Sequence, residues 1–501
     1  MTHAILLPIL IPMFLGAALL IPMSLRWQRL LLITGSISLL PIAAYLLQIA
    51  SQGELHYYAL GGWEQPFGIS LMLDRLSALM LTLVALLAIF SSLYAARGDD
   101  EIGRYFHPLF AFQLMGLNGA FLTADMFNLF VFFEILLIAS YSLLMHGYGV
   151  LRVRAGTHYV LLNLIGSSFF LIGLGIVYAT SGTLSMAELS LKVASATLSE
   201  QRLYAAGGLL LLVVFGLKGA LLPLYFWLPK AYSTATAPVA ALFAIMTKVG
   251  IYAMFRIFTQ VFGATSGQLQ EILYGWMWPL TLLTIFFAAI GLLASSSLKI
   301  QISYLVIISS GTLQATLAMG HAQSIAAGLF YLIHSTLITA GFFFIAAMIA
   351  RERGEKRTTL VAGPPLRHPM LLGGLFVIAA LGIAGIPPLS GFIGKANVLI
   401  SAQPGPERML LWATVLTGSL AAIVALSRAG STLVWRTKDT HRATTLPLDG
   451  GRLACCIAML VLSVALVIFA QPVMEYTQAT AAQLLDVASY QQIITSSGGT
   501  P

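Results

Sequence analysis

Apolar runs of about bilayer length, separated by short polar turns, fill almost the whole chain. A helix needs about 20 predominantly apolar residues to cross the hydrocarbon core of a membrane. By that measure spans are predicted near residues 4–23, 30–50, 72–95, 107–124, 127–147, 157–180, 204–226, 237–261, 272–294, 299–319, 322–349, 370–386 continuing broken to 400, 408–432 and 453–473, fourteen in all. SMAELSLKVASATLSEQ, between the sixth and seventh, reads as an amphipathic piece at the interface. No soluble domain is predicted, and the longest polar stretches are about 350–368, 436–452 and the tail from about 476. The first run lacks a basic n-region and a small-residue cleavage site, so it is read as a retained span and not as a signal peptide.

Composition supports a lipid-embedded chain. Apolar residues make up 58% and charged residues only 9%, against roughly 45–50% apolar in soluble domains. The net charge of +8 comes from short clusters between apolar runs, an arrangement that sets membrane orientation and does not form a nucleic-acid stripe. Cys455 and Cys456, the only cysteines, are adjacent within an apolar segment and support neither a disulfide framework nor a CxxC site.

One orientation gathers the charge. With both termini outside, the cytoplasmic loops hold 17 Lys/Arg, among them Arg26, Arg29, Arg152, Arg154, Arg351, Arg353, Lys356 and Arg357. The opposite loops hold four: Lys192, Arg202, Arg256 and Arg408. That bias is what the positive-inside rule expects.

The candidate chemistry lies in the exceptions to apolarity. Of the 18 acids, Glu134 alone sits in the middle of an apolar run, NLFVFFEILLIASYSLL. A charge there costs roughly 2.5–3.5 kcal/mol on insertion scales, so such residues usually face a bundle interior or water and mark an ion path. Lys218 lies between Gly216 and Gly219, five residues before Pro223. The glycines predict close helix approach, and the proline frees carbonyls that can bind water. Lys248 is similarly central, Lys395 lies nearer a helix break where snorkelling to the interface competes, and His334 is the one mid-span histidine. His107, His146, His158 and His321 fall near span ends and carry little weight. Glu134 and Lys218 could form a switching ion pair that titrates as a unit, since burial alone disfavours either charge and pairing restores it. Na⁺ prefers oxygen ligands, as other hard cations do, and three ammonium groups beside a single deep carboxylate argue against a sodium cage here. No cofactor site is predicted, and the metal-ion path is left open.

A short repeat adds to this. PLYFWLPKA begins at Pro223 and PLSGFIGKA at Pro388, each with Lys-Ala seven residues after its proline, at Lys230 and Lys395. Coincidence in an apolar chain competes with a true repeat, and the paired proline breaks favour the repeat, since matching broken helices point to a transporter's working site. The alignment does not make Lys218 and Lys395 equivalents.

TADMFNLFVFFEILLIASYSLL (123–144), GLKGALLPLYFWLPKAYSTATAPVAA (216–241), MTKVGIYAMFR (246–256) and GIPPLSGFIGKANVL (385–399) resemble the proton-conducting subunits shared by Mrp-type cation/proton antiporters and respiratory NADH dehydrogenase. The wording around Glu134 and the length look most like the D-type chains of Mrp antiporters. The resemblance implies an all-α integral membrane fold of about 14 transmembrane helices, with two inverted five-helix repeats and broken helices 7 and 12. It divides the chain into residues 1–106, a first repeat at 107–262, a second at 263–435, and helix 14 with the tail at 436–501. By motif position it implies proton-translocating roles for Glu134, Lys218, Lys248, His334 and Lys395, with Pro223 and Pro388 at the breaks. In the eleventh span, where the family often has a lysine after its histidine, this chain has Thr339. The link between the halves is therefore expected to rest on His334, Thr336, Thr339 and water.

The resemblance implies a proton-translocating subunit of a multisubunit Na⁺/H⁺ antiporter in the bacterial inner membrane, a transporter and not an enzyme, partnered by A-, B-, C-, E-, F- and G-type subunits. The alternative is a proton-pumping membrane-arm subunit of a respiratory NADH dehydrogenase or membrane-bound hydrogenase. A passive structural role is a third class, disfavoured by the burial cost of the charges.

Overall fold

A computed structural model describes residues 2–63, 68–147, 149–437 and 447–497. Within the polar stretch 436–452, residues 438–446 lie outside the described residues.

The chain opens with a 3-10 turn and α1 (Leu7–Leu19), then α2 (Leu25–Ala50), a hairpin of β1 (His56–Ala59) and β2 (Ser70–Leu73), and α3 (Arg75–Ala95). There follow α4 (Phe106–Leu122), α5 (Met126–Met145), α6 (Val150–Ser181), the short α7 (Met186–Ala194), α8 (Leu198–Lys218), α9 (Trp227–Thr234) and α10 (Ala237–Gln260). The rest consists of α11 (Gln268–Ala294), α12 (Leu298–Ala318), α13 (Ala322–Glu352), α14 (Pro369–Ala384), α15 (Ser390–Ser401), α16 (Pro406–Gly430), α17 (Gly450–Ile468), α18 (Ala470–Leu485) and α19 (Val487–Ser497).

Each of the fourteen predicted runs is helical, and the protein is a multi-pass membrane protein. Among the described residues, 11 helices are long and apolar enough to cross a bilayer, and the α1 segment and α14 are shorter apolar helices. α7 is the predicted amphipathic piece, with Met186, Leu189 and Val193 turned inward. The helix starts follow side-chain chemistry. Asp74 and Ser77 form a reciprocal cap on α3, and Asp125 accepts from the Asn128 amide at 2.7 Å to open α5.

Burial is graded from the centre outward. Every residue of α10 is buried, and α12 and α13 are nearly so. α2, α6, α16 and α17 keep broad apolar faces outward, as lipid-facing helices do. Both chain ends lie at one end of the bundle: His3 meets Tyr58 of the hairpin, Tyr476 donates to the Arg75 carbonyl, and Gln491 donates to Ser190 of α7. At the opposite end Arg29 binds Asp100, Arg452 binds Asp99, Arg152 donates to the His146 carbonyl and Lys299 to that of Ala235. Basic residues therefore gather at the end away from the termini.

Two expectations are corrected. Arg256, assigned to a loop, lies within α10 at 1% exposure. Its guanidinium forms a buried ion pair with Asp74, holding the start of α3 against α10, and also meets the Tyr252 hydroxyl at 2.9 Å. The last span ends at Ile468 and not near 473, because the chain bends at Phe469 into α18. α18 is packed on α13, α3 and α10, so the polar tail is mostly helix held by tertiary contact.

Candidate functional site

Two helices are interrupted where proline was seen. α8 stops at Lys218, and helix resumes at α9 after the Pro223 segment. α14 stops at Ala384, and Pro388 precedes the start of α15 at Ser390. Each interruption strands backbone carbonyls that must find donors inside the bundle. At the first, the Gly219 carbonyl accepts from the Ser310 hydroxyl and, at 2.9 Å, from the Gln314 amide, both on α12. At the second, Lys395 supplies the donors: its Nζ reaches the Ile383 carbonyl at 3.1 Å, the Ala384 carbonyl at 2.9 Å and Ser419 Oγ on α16 at 2.9 Å. An ammonium there also complements the negative end of the α14 dipole. Lys395 is thus buried and does not snorkel; Lys230, its partner in the sequence repeat, is exposed.

α6 brings Glu134 and Lys218 together. Its buried polar residues Tyr159, Asn163 and Ser167 are spaced by four and so share one face. Lys218 Nζ donates to Asn163 Oδ1 at 2.8 Å, and the Asn163 amide donates to the Tyr159 carbonyl at 2.8 Å. One turn on, the Ser167 hydroxyl donates to the Glu134 carboxylate. The carboxylate acts on the ammonium electrostatically without a direct ion pair within 4.0 Å. Asn163 and Ser167 were not singled out in the sequence, though two polar residues at i, i+4 in the apolar run LLNLIGSSFF are a visible signal.

α10 packs tightly on the end of α8 at Gly250, where an added Cβ would lie 2.6 Å from the Gly219 amide nitrogen and 2.8 Å from Lys218 Cβ. Gly216, read as a contact glycine, instead faces Leu221 of its own segment. Lys248, half a turn before Gly250, is fully buried and its Nζ has no hydrogen-bond partner among the described residues.

α13 carries His334 between the two parts of the second broken helix. Nδ1 lies 2.8 Å from Ser390 Oγ, which lies 2.9 Å from Ser463 Oγ on α17. Nε2 faces the Gly382 carbonyl without completing a hydrogen bond of ordinary geometry, and Lys248 and Lys395 both act on the ring electrostatically. Gly391 makes this fit possible, since a Cβ there would lie 1.9 Å from the Gly382 oxygen and 2.8 Å from Nε2. Thr336 gives its hydroxyl hydrogen to the Leu332 carbonyl at 2.7 Å, whereas the buried Thr339 hydroxyl has no partner among the described residues. Of the two threonines, Thr339 keeps its hydroxyl free.

The helices bearing these groups touch in succession: α5 with α6, α6 with α8, α8 with α10, α10 with α13, and α13 with α15. Glu134, Lys218, Lys248, His334 and Lys395 accordingly form a row across the bundle, from α5 to α15. Four of these groups are buried and Glu134 is half-buried, shallower than the sequence suggested, and a row of titratable groups inside a membrane bundle is the kind that marks an ion path.

Known proteins place the chain more closely. Residues 123–422 match the transmembrane family described as NADH:quinone oxidoreductase/Mrp antiporter. The D-type subunit of a probable K(+)/H(+) antiporter from Rhizobium meliloti (strain 1021) is 38% identical, covering 99% of this chain and 98% of that protein. The D-type subunit of the Na(+)/H(+) antiporter from Bacillus subtilis (strain 168) is also 38% identical, covering 79% and 80%. The fold matches a chain of the Mrp complex from Dietzia sp. DQ12-45-1b with a TM-score of 0.88 at 24% identity, covering 99% of this chain and 100% of that one. A chain of respiratory complex I from Thermus thermophilus with bound NADH gives 0.77 at 23% identity, covering 96% and 99%. The chain belongs to the NADH:quinone oxidoreductase/Mrp antiporter transmembrane family, and within that family it falls with the D-type Mrp subunits.

Proposed function

We propose that this chain is the proton-translocating subunit of a multisubunit monovalent cation/proton antiporter, with Na⁺ as the exchanged cation. The observation that carries the reading is the α6 bridge, in which Asn163 holds the Lys218 ammonium while Ser167 holds the Glu134 carboxylate. A carboxylate held near an ammonium favours both charges. Moving it away leaves the lysine charged in a low-dielectric site and drives its proton to the next acceptor. Lys248 on α10, whose Nζ has no hydrogen-bond partner among the described residues, receives charge at the centre, and His334 and Lys395 extend the row into the second half. Coupling of these groups makes them titrate together, so a charge change at one end is felt at the other.

In this reading residues 107–262 and 263–435 act as two repeats, each with one of the broken helices, flanked by 1–106 and 436–501. The end rich in arginine is cytoplasmic and both termini are outside, in the bacterial inner membrane. A-, B-, C-, E-, F- and G-type subunits complete the complex and supply the cation path. Antiporter names among the relatives support exchange over a redox-driven role, while the likeness to complex I supports a shared fold. The test is proton movement in vesicles carrying the reconstituted complex, with Na⁺, Li⁺ and K⁺ added in turn. Proton flux that follows Na⁺ supports the proposal; flux indifferent to every cation rejects it.

A further inference from the structure

α15 presents two different polar faces. Lys395 points toward α16, beside a cavity of about 310 Å³ whose rim includes the outward-facing Phe392, Leu416 and Leu420. Ser390, Gly394 and Asn397, at spacings of four and three, share the other side, toward α13 and α17, with Asn397 reaching Met474 of α18. On that side the hydroxyls of Ser390 and Ser463 continue from His334 Nδ1 in an unbroken hydrogen-bonded line, at 2.8 and 2.9 Å. Farther along, a recess of about 90 Å³ with a mixed lining opens between α13, α15 and α18, its polar side chains being the buried Thr477, the half-buried Asn397, and Gln323 and Gln478 exposed at its mouth. Asn397 also binds Met474 Sδ at 3.1 Å. Ser390 and Asn397 are seven residues apart, about 10 Å along a helix. The recess belongs to the end of the bundle where the termini lie, since Gln478 follows Tyr476, whose hydroxyl donates to the Arg75 carbonyl.

Histidine suits a through-path, because its two ring nitrogens lie on opposite sides and one can take a proton as the other gives one up. Here the ring is buried, Nε2 faces the Gly382 carbonyl without a completed hydrogen bond, and Nδ1 is on the serine line. We propose that a second outlet leaves His334 through Ser390 and Ser463 toward the Asn397–Thr477 recess, separate from the Lys395 side of α15. A proton arriving at Nε2 releases the Nδ1 proton to Ser390 Oγ, and the Ser390 hydroxyl proton passes to Ser463 Oγ. Each oxygen gains one proton and gives one, Ser463 passing its proton to water toward the recess, and His334, left as the Nε2–H tautomer, returns to the Nδ1–H form before the next transfer. The inference rests on the proton-translocating role proposed above.

The test uses the complete antiporter complex in membrane vesicles, read by cation-dependent proton movement. Ser463→Ala should slow exchange at least about tenfold, and Ser463→Thr, which keeps the hydroxyl, should restore most of the rate. Gln478→Cys treated from the termini side with a charged, membrane-impermeant thiol reagent should lose rate relative to the same variant before treatment. Equal rates for Ser463→Ala and wild type, or no change on modifying Gln478→Cys, would overturn the outlet. Glu134→Ala run in parallel separates the two ideas. If it is inactive while the Ser463 and Gln478 variants run normally, only the outlet fails; if it too is fully active, the proton-translocating role itself fails.

Discussion

Asn163 and Ser167 stand one turn apart on α6, and each holds one member of the Glu134–Lys218 pair. The lysine and the carboxylate are therefore coupled through a third helix and not by direct contact, which leaves each free to move without breaking a tight ion pair.

That arrangement makes Asn163 a positioning residue. A hydrogen bond to a charged group is worth about 1.5–3 kcal/mol, so Asn163→Ala should slow exchange by about ten- to a hundredfold. Asn163→Asp should arrest it more completely, because a carboxylate at that place pairs the Lys218 ammonium and holds its proton. Exchange rates of both variants, normalised to assembled complex, check this; an active Asn163→Asp would show that Lys218 need not release its proton.

Gly250 sets the distance between α10 and the end of α8. An alanine there meets backbone at 2.6 Å, which cannot yield as a side-chain tip would. Overpacking of this kind costs about 1–3 kcal/mol. Gly250→Ala should lower exchange while Gly216→Ala, facing only Leu221, is milder. Comparable losses in the two would mean that the close approach carries no function.

The Asp74–Arg256 pair supports the frame and is not part of the row. Removing one partner of a buried pair costs about 3–5 kcal/mol through the charge left behind. Asp74→Ala and Arg256→Ala should each reduce the complex that survives heating in detergent, and the double variant should lose less than the two losses added. Additive losses would place the pair's worth elsewhere.

Acid should loosen the arginine-rich end in a defined window. Burial pushes the Asp100 carboxyl up, but hydrogen bonds from Arg29 and His107 outweigh it and hold the group at about 2, below its ordinary 3.8. A lowered value means the pair's contribution is complete above pH 3.8 and is lost as pH falls toward 2. Thermal stability of the wild type should fall across that window relative to Asp100→Asn, which has no carboxylate to protonate. Parallel curves would remove Asp100 from the account.

Much of this was legible in the chain because lipid imposes one rule on every span, and exceptions to it stand out. Glu134, Lys218, Lys248, His334 and Lys395 were visible as polar positions where apolar ones are required. Their partners were harder to read. Asn163 and Ser167 are uncharged, and small polar residues are common in membrane helices for packing alone. Ser390 and Ser463 are separated by 73 positions and meet only through the break in α14–α15. Arg256 fell inside the predicted span 237–261 yet was counted with a loop, since the partner that lets its charge be buried, Asp74, lies 182 positions away. α18 carries too mixed a pattern to announce itself and is held by α13 and α3.

The most direct measurement is cation-dependent proton movement in everted vesicles carrying the assembled complex with Glu134→Ala or Lys218→Ala. Near-complete loss of exchange in both, with the complex still present in the membrane, is the predicted result. Wild-type rates in both variants would contradict the central role of the pair.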